Sequence, residues 1–364
     1  MSRTLIVSDL HLGDRAQGDV LRHEGIAEVL AAALEGVDRL VLLGDTLELR
    51  NQPARVVLDA AAPVLARLAE QLGTRPVLIA AGNHDHALIE RWLAHNREPL
   101  GLDQRFAPQE ASDLGGALAA ALEPGAVEFA YPGLWLREDV YATHGHYLDV
   151  HMTVPTFERI AIAASGRLAL ERTRRWNDVH SPDDYEALLT PVYAWMHSAA
   201  QSGRAGPMTG GGGTLRAWRA LRGRSPGARA LAAGFPLAVA ALNGAGLGPV
   251  RSEVSSQALC SAGLRAMSEV VERLQVRARH VVFGHTHRAG VIAGDEPAEW
   301  LTPNGVQLHN TGSWVYSDTF LRGGDASSPY WPGCAVLIED GAPPRALALL
   351  ADRSPAGLSS RAPA

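Results

Sequence analysis

Apolar residues fall into two rhythms along this chain. Short unbroken runs at 4–8, 37–43 and 76–81 read as strands, and between them apolar residues recur at helical spacing over 20–34 and 53–72. In the first helical stretch Arg22, Glu24 and Glu28 fall on a separate face. In the second, Pro53 sits near the start, where a missing N–H costs little. Strands separated by helices predict parallel βαβ units, and such sheets gather ligands at the carboxyl ends of their strands.

Beyond residue 84 the rhythm loosens. The pattern predicts a helix over 87–95, a polar and alanine-rich connection over 101–125, and short β pieces over 127–143 broken at Pro132-Gly133. Residues 147–278 have little strand character and helical spacing at 156–176, 183–201 and 251–274, so they read as an inserted helical unit or cap. Within it, Gly210-Gly211-Gly212-Gly213 reads as a flexible linker, and Trp176, Trp195 and Trp218 read as the insert's own core. Residues 230–250 hold no charge but contain Gly234, Pro236, Asn243, Gly244, Gly246, Gly248 and Pro249. So many breakers predict a buried or hinge-like segment of the cap, with an acyl-chain or membrane-surface contact as the alternative to a straight membrane span.

Strands then return at 279–283, 289–293, 306–310, 334–338 and 345–350, with no helices between them. That predicts an antiparallel or mixed second sheet stacked on the first. The fold class is therefore α/β, one domain made of 1–146 and 279–352, interrupted by the insert 147–278 and followed by a Ser/Pro/Ala-rich disordered tail at 353–364.

Composition narrows the function classes. At 364 residues, with 46% hydrophobic and 20% charged residues, the chain has the make-up of a globular protein with a sizeable core. A net charge of −6 argues against broad electrostatic binding to nucleic acid or an anionic membrane, though it leaves room for a local patch. Cys260 and Cys334 are too few for a disulfide framework and lack ligand-like spacing, which suits a reducing cytoplasm. The first strand begins near Thr4 with no basic, apolar leader before it, so a cytoplasmic location is expected.

Five short segments carry the chemistry: Asp9-Leu10-His11, Gly44-Asp45, Gly82-Asn83-His84-Asp85, Thr143-His144-Gly145-His146 and Gly284-His285-Thr286-His287. Singly, each has a bland explanation. An aspartate after a strand caps a turn or helix, Gly-Asn-His-Asp is made of turn formers, and a lone histidine is more often structural than a ligand. Jointly, at strand ends, they offer Asp9, His11, Asp45, Asn83, His144, His285 and His287 as candidate metal ligands. Carboxylate, carboxamide and imidazole without thiolate suit Mn²⁺, Fe or Zn²⁺ over Ca²⁺, with Mn²⁺ the first expectation. Such a set exceeds the needs of one tetrahedral ion and matches two divalent ions sharing a bridging carboxylate, for which Asp45 is the natural choice. A water between two such ions ionises near neutral pH, giving a hydroxide aimed in line at phosphorus.

These segments, in this order, resemble the calcineurin-like metallophosphoesterases: Asp-x-His, Gly-Asp, Gly-Asn-His-Asp, a lone His, then Gly-His-x-His. The resemblance spans about residues 4–146 and 279–350 and implies a four-layer α/β/β/α sandwich, with Asn310-Thr311-Gly312-Ser313 similar to a further family element. It assigns Asp9, His11 and His287 to one ion and Asn83, His144 and His285 to the other, with Asp45 bridging. It makes His84 the catalytic group facing the leaving oxygen, and Asp85 is expected to orient it. His146 is held as a partner behind a ligand, and Arg15 and Arg288 as candidate phosphate contacts. Within the superfamily, Ser8-Asp9-Leu10-His11-Leu12, Gly44-Asp45-Thr46-Leu47-Glu48 and Gly284-His285-Thr286-His287-Arg288 look most like the UDP-2,3-diacylglucosamine pyrophosphatase branch. His84 in place of arginine, His146 in place of aspartate and the longer insert depart from it. The expected activity is hydrolysis of a phosphate ester or pyrophosphate on a phosphorylated small-molecule or lipid-linked substrate. A catalytically silent scaffold binding partners through its insert is the rival from another class.

Overall fold

A computed structural model describes residues 2–154, 159, 161–163, 179–204, 225–244, 250–251, 256–317, 321 and 324–358. They sort into two compact units, Met1–His146 with Val276–Ala364, and Tyr147–Gln275. The first unit opens with β1 (Arg3–Val7), α1 (Ile26–Ala33), β2 (Arg39–Leu43), α2 (Ala54–Leu72) and β3 (Pro76–Ala80). The three strands pair in parallel, Leu5 opposite Leu40 and Leu40 opposite Val77. Their runs are wholly apolar because both faces are covered. Leu5, Val7, Leu40, Leu42, Val77 and Ile79 enter one core with residues of α1 and α2, while Ile6, Val41, Leu43, Leu78 and Ala80 enter another.

The first helix is shorter than its apolar spacing predicts, because Gly25 takes a left-handed φ of 74° and α1 starts only after it. Next come α3 (Glu90–His95), β4 (Asp103–Phe106), α4 (Asp113–Ala121), β5 (Ala126–Arg137) and β6 (Val140–Thr143). The expected connection at 101–125 thus holds a strand and a helix. β4 buries only Phe106 and so shows no apolar run, and α4 is an alanine- and glycine-rich helix started by the Ser112 cap on Gly115 N–H. β5 runs straight through Pro132-Gly133, where a break was expected. Up to Pro132 it pairs with β3 and β4, and from Gly133 onward with β6. Pro-Gly marks the change of partner, and a Cβ at Gly133 would overlap Tyr141 and the Ala142 carbonyl.

In the second unit, the stretch 156–176 and the glycine run 210–213 lie outside the described residues, almost wholly and wholly respectively. The described helices are α5 (Pro182–Gln201), α6 (Pro226–Gly244) and α7 (Ser256–Arg273). A capping box starts α5, with the Ser181 hydroxyl and the Asp184 carboxylate exchanging bonds with each other's N–H, the latter at 3.0 Å. Where a buried or hinge-like segment was expected over 230–250, α6 passes unbroken through Gly234 and Pro236, because the alanines and leucines around them carry strong helix propensity. It leaves most of 233–244 exposed, and residues 245–249 lie outside the described residues. No helix among the described residues is long and apolar enough to cross a membrane.

The first unit is completed by β7 (His280–Phe283), β8 (Ala289–Gly290), β9 (Gln307–Thr311), β10 (Cys334–Glu339), β11 (Arg345–Ala348) and a single turn, α8 (Pro355–Leu358). β6, β7 and β9 run parallel, while β8, β10 and β11 join antiparallel. One hydrogen-bonded path links the strands in the order β11-β10-β1-β2-β3-β5-β6-β7-β9-β8, with β4 beside β5. β5 belongs to both halves of this path. The halves share a core in which Ile6, Val41 and Leu43 meet Leu134, Val140 and Val282, so helices cover one half-sheet and the second half packs on its other face. The tail is not disordered from Arg353 onward, since Leu358 is fully buried in the main core. Residues 359–364 lie outside the described residues.

Candidate metal centre

Every candidate ligand follows a strand by a few residues: Asp9 and His11 after β1, Asp45 after β2, Asn83 after β3, His144 after β6, His285 and His287 after β7. Asp9, His11, Asp45, His285 and His287 all take left-handed backbone, with φ between 46° and 66°. Each such residue costs about 1–3 kcal/mol, and strain of this kind persists where the surroundings over-determine it. Here the loops lock one another. Asp9 N–H donates to Gly44 O at 3.1 Å, His11 N–H to Asp45 O at 2.9 Å and Gly284 N–H to His144 O at 2.9 Å. Asn310 Nδ2 reaches Gly284 O at 2.9 Å and Thr286 Oγ1 at 3.0 Å, which pins the last loop. Side chains of neighbouring loops pass directly over the glycines: a Cβ at Gly44 would overlap the His144 ring, at Gly82 the Asp45 side chain, and at Gly284 Ser8 and Asp9.

Two groups of donor atoms converge. In one, His11 Nε2 and His287 Nε2 are 3.0 Å apart, with Asp9 Oδ1 at 3.8 and 3.2 Å from them. In the other, Asn83 Oδ1 lies 3.2 Å from His144 Nε2 and 3.0 Å from His285 Nδ1. Asp45 Oδ2 stands between, 3.6 Å from His11 Nε2 and 3.3 Å from His144 Nε2. The outer nitrogens fix the tautomers: His11 Nδ1–H donates to Glu48 Oε2 at 3.0 Å and His144 Nδ1–H to Leu43 O at 2.9 Å, which leaves both Nε2 lone pairs facing inward.

The contents of this space fit divalent cations. Asp9 Oδ1 is buried and accepts no hydrogen bond. Asn83 directs its oxygen at His144, His285 and Asp45. Turned over, its NH2 would donate to all three and its oxygen would accept from Arg50 at 2.8 Å. With the oxygen inward, a cation placed among these atoms would satisfy the facing lone pairs together. Burial opposes the charges of Asp9, Asp45 and Glu48, yet surrounding imidazoles outweigh it and hold all three carboxyls well below the usual range. Burial likewise opposes charge on His11 and His144, and the same carboxylates raise both, His144 to about 9. The pocket thus draws in positive charge, and a metal entering it would release protons.

Not every predicted residue joins this cluster. The Asp85 carboxylate, expected to orient His84, instead accepts the backbone N–H groups of Gly82 (2.7 Å), Thr46 (2.7 Å) and Asp45 (3.2 Å), tying the third loop to the second. Burial, then the charge of Asp45, raises its pKa to about 6. The group bonded to His84 is Glu48, whose Oε2 takes His84 Nδ1 at 2.6 Å as well as His11 Nδ1. Its only mark in the sequence is an acidic residue three places after Asp45, between leucines that are themselves buried. His146 is buried and pairs with the Tyr131 hydroxyl at 3.1 Å. Arg15 is exposed, and its backbone N–H donates to Asn51. Arg288 is held by the Asp295 carboxylate and lies over Trp300, 5.0 Å from the ring centroid, so its charge is already matched.

No curated protein matches the chain. Among solved structures, a dimetal phosphatase from Danio rerio is similar at 12% identity, over 93% of each chain, with a TM-score of 0.35, a likeness too slight to bear on the site. The model of the calcineurin-like phosphoesterases matches residues 2–223, a span that takes in the segments from Asp9 to His146 and ends before Gly284. With more than half of its length matched, the chain belongs to the calcineurin-like phosphoesterase family, whose members are hydrolases with a dinuclear divalent metal centre.

Proposed function

We propose that Asp9, His11 and His287 hold one divalent cation and Asn83, His144 and His285 a second, with Asp45 shared, and that the centre hydrolyses a phosphate ester or pyrophosphate. The observation carrying this reading is the convergence of lone pairs from five separate loops, on strained backbone, with N–H groups turned outward. Bound there, the cations would polarise phosphoryl oxygens and acidify a water to near-neutral pKa. Manganese is the first expectation, with Fe or Zn²⁺ compatible with the same donors.

The chain's own residues do the remaining work. Glu48 holds His84 by Nδ1, which turns Nε2 into the nitrogen offered to a leaving-group oxygen. Asp85 sets the spacing of the second and third loops through their backbone N–H groups, and is a positioning residue in this scheme.

Likeness of the first, second and last metal segments to the UDP-2,3-diacylglucosamine pyrophosphatases supports a narrower reading, cleavage of a lipid-linked pyrophosphate. His84 and His146, which depart from that branch, favour the broader one. Hydrolysis of bis-p-nitrophenyl phosphate and of UDP-2,3-diacylglucosamine by metal-stripped protein, with and without Mn²⁺, separates them. Turnover of the first alone supports the broad reading and of the second alone the narrow one. Full metal occupancy with neither would leave the silent scaffold.

A further inference from the structure

The overall charge of −6 conceals an asymmetry. Between Glu186 and Glu253 the chain has no acidic residue and seven arginines, from Arg204 to Arg251, which leaves the remainder strongly acidic. Screening confines such charge to a reach of about 10 Å, so the local excess and not the net value decides what this stretch meets.

Helix α6 lies within that acid-free stretch. Over 233–244 it bears no charge, and of these residues only Val239 is buried, while Leu237 is 75% exposed. A helix on the surface of a soluble domain turns a polar face to water. Over 233–244 this one has Asn243 alone, and both ends of that carboxamide are engaged by Val250, at 2.9 Å each. Elsewhere in the same unit Trp195, expected in its core, is 52% exposed. Arg204, Arg229 and Arg251, the described arginines of the stretch, are exposed.

We infer that this unit docks on an anionic lipid bilayer, α6 lying in the headgroup region and the exposed Arg204, Arg229 and Arg251 meeting lipid phosphates. Three features select that occupant. Over 233–244 the exposed residues lie on more than one side of the helix, which suits immersion in a fluid apolar phase; a protein groove would match one stripe. Its flanking charge is of one sign only, complementary to anionic headgroups. No helix among the described residues is long and apolar enough to span, which leaves α6 a place along the surface. The inference holds whatever the substrate.

The test is co-sedimentation of the full chain with vesicles of phosphatidylcholine alone, or mixed with phosphatidylglycerol. Binding to the mixed vesicles only is expected, weakened roughly tenfold by Arg229→Glu or by raised salt, and by a similar factor by Leu237→Glu. Both positions are exposed, so the variants should melt as the parent does, and an unchanged melt certifies them. No binding to mixed vesicles overturns the proposal. So does self-association abolished by Leu237→Glu, which would make a second copy the occupant, or tighter binding to single-stranded RNA than to vesicles. None of these readings depends on phosphoesterase activity.

Discussion

Replacing Glu48 by glutamine tests how one buried carboxylate serves two imidazoles. Glu48 Oε2 accepts from His11 Nδ1 at 3.0 Å and His84 Nδ1 at 2.6 Å, and Oε1 accepts from Arg50 N–H at 3.1 Å. Glutamine offers one acceptor and one donor in the same volume. With its NH2 toward the histidines, both must move their N–H to Nε2, which on His11 is the atom among Asp9, His287 and Asp45. With its NH2 toward Arg50, one buried donor faces another, at about 1–3 kcal/mol, and the imidazoles keep a neutral acceptor about half as strong. Either way His11 becomes a poorer ligand. Loss of such a partner lowers metal affinity about 10–100-fold, or about 1.4–2.7 kcal/mol. Turnover at saturating metal should fall a further hundredfold or so, because His84 is no longer held. Calorimetric titration with Mn²⁺ reads the first loss and kcat on bis-p-nitrophenyl phosphate the second. A Glu48→Gln variant that binds metal and turns over like the parent would refute the reasoning.

Other consequences are as direct. Gly82→Ala drives a methyl into Asp45, so metal binding should collapse even where circular dichroism stays native; normal Mn²⁺ uptake would show that the loop has slack. Leu358→Ala should lower stability by about 2–5 kcal/mol in urea unfolding, whereas a disordered tail would give no change. Burial, helped by the charge of His280, lowers the His309 pKa from 6.5 to about 4. Between those values the unfolded chain takes up a proton that the folded chain refuses, so the His309 contribution to stability is constant above pH 6.5 and declines by up to about 3 kcal/mol as pH falls to 4. His309→Phe should flatten that decline, and an unaltered slope would place its cause elsewhere.

What the sequence reveals of the site, and what it conceals, follows from how local each feature is. Asp9, Asp45, Asn83, His144, His285 and His287 are legible because each follows an apolar strand within a few residues and four neighbour a glycine directly. Glu48 is not, since its role comes from His11 and His84 on two other loops, distant in sequence. The same reason hides the work of Asp85, whose partners are backbone groups of the second loop as well as its own. Arg288 looked available for phosphate only because Asp295 and Trp300 are invisible from its immediate neighbours. In the fold, β4 escaped notice because pairing with β5 makes it a strand and its own pattern does not. The continuity of β5 through Pro132-Gly133 and of α6 through Pro236 shows tertiary pairing and neighbouring helix formers overriding local breakers.

The account rests on two cations sharing Asp45. Titrating metal-stripped protein with Mn²⁺ under calorimetry, beside Asp45→Ala, tests it most directly. Two equivalents bound per chain, with proton release, and the loss of at least one equivalent in the variant are the predicted result. A single equivalent unaffected by Asp45→Ala, or no binding at all, would contradict it.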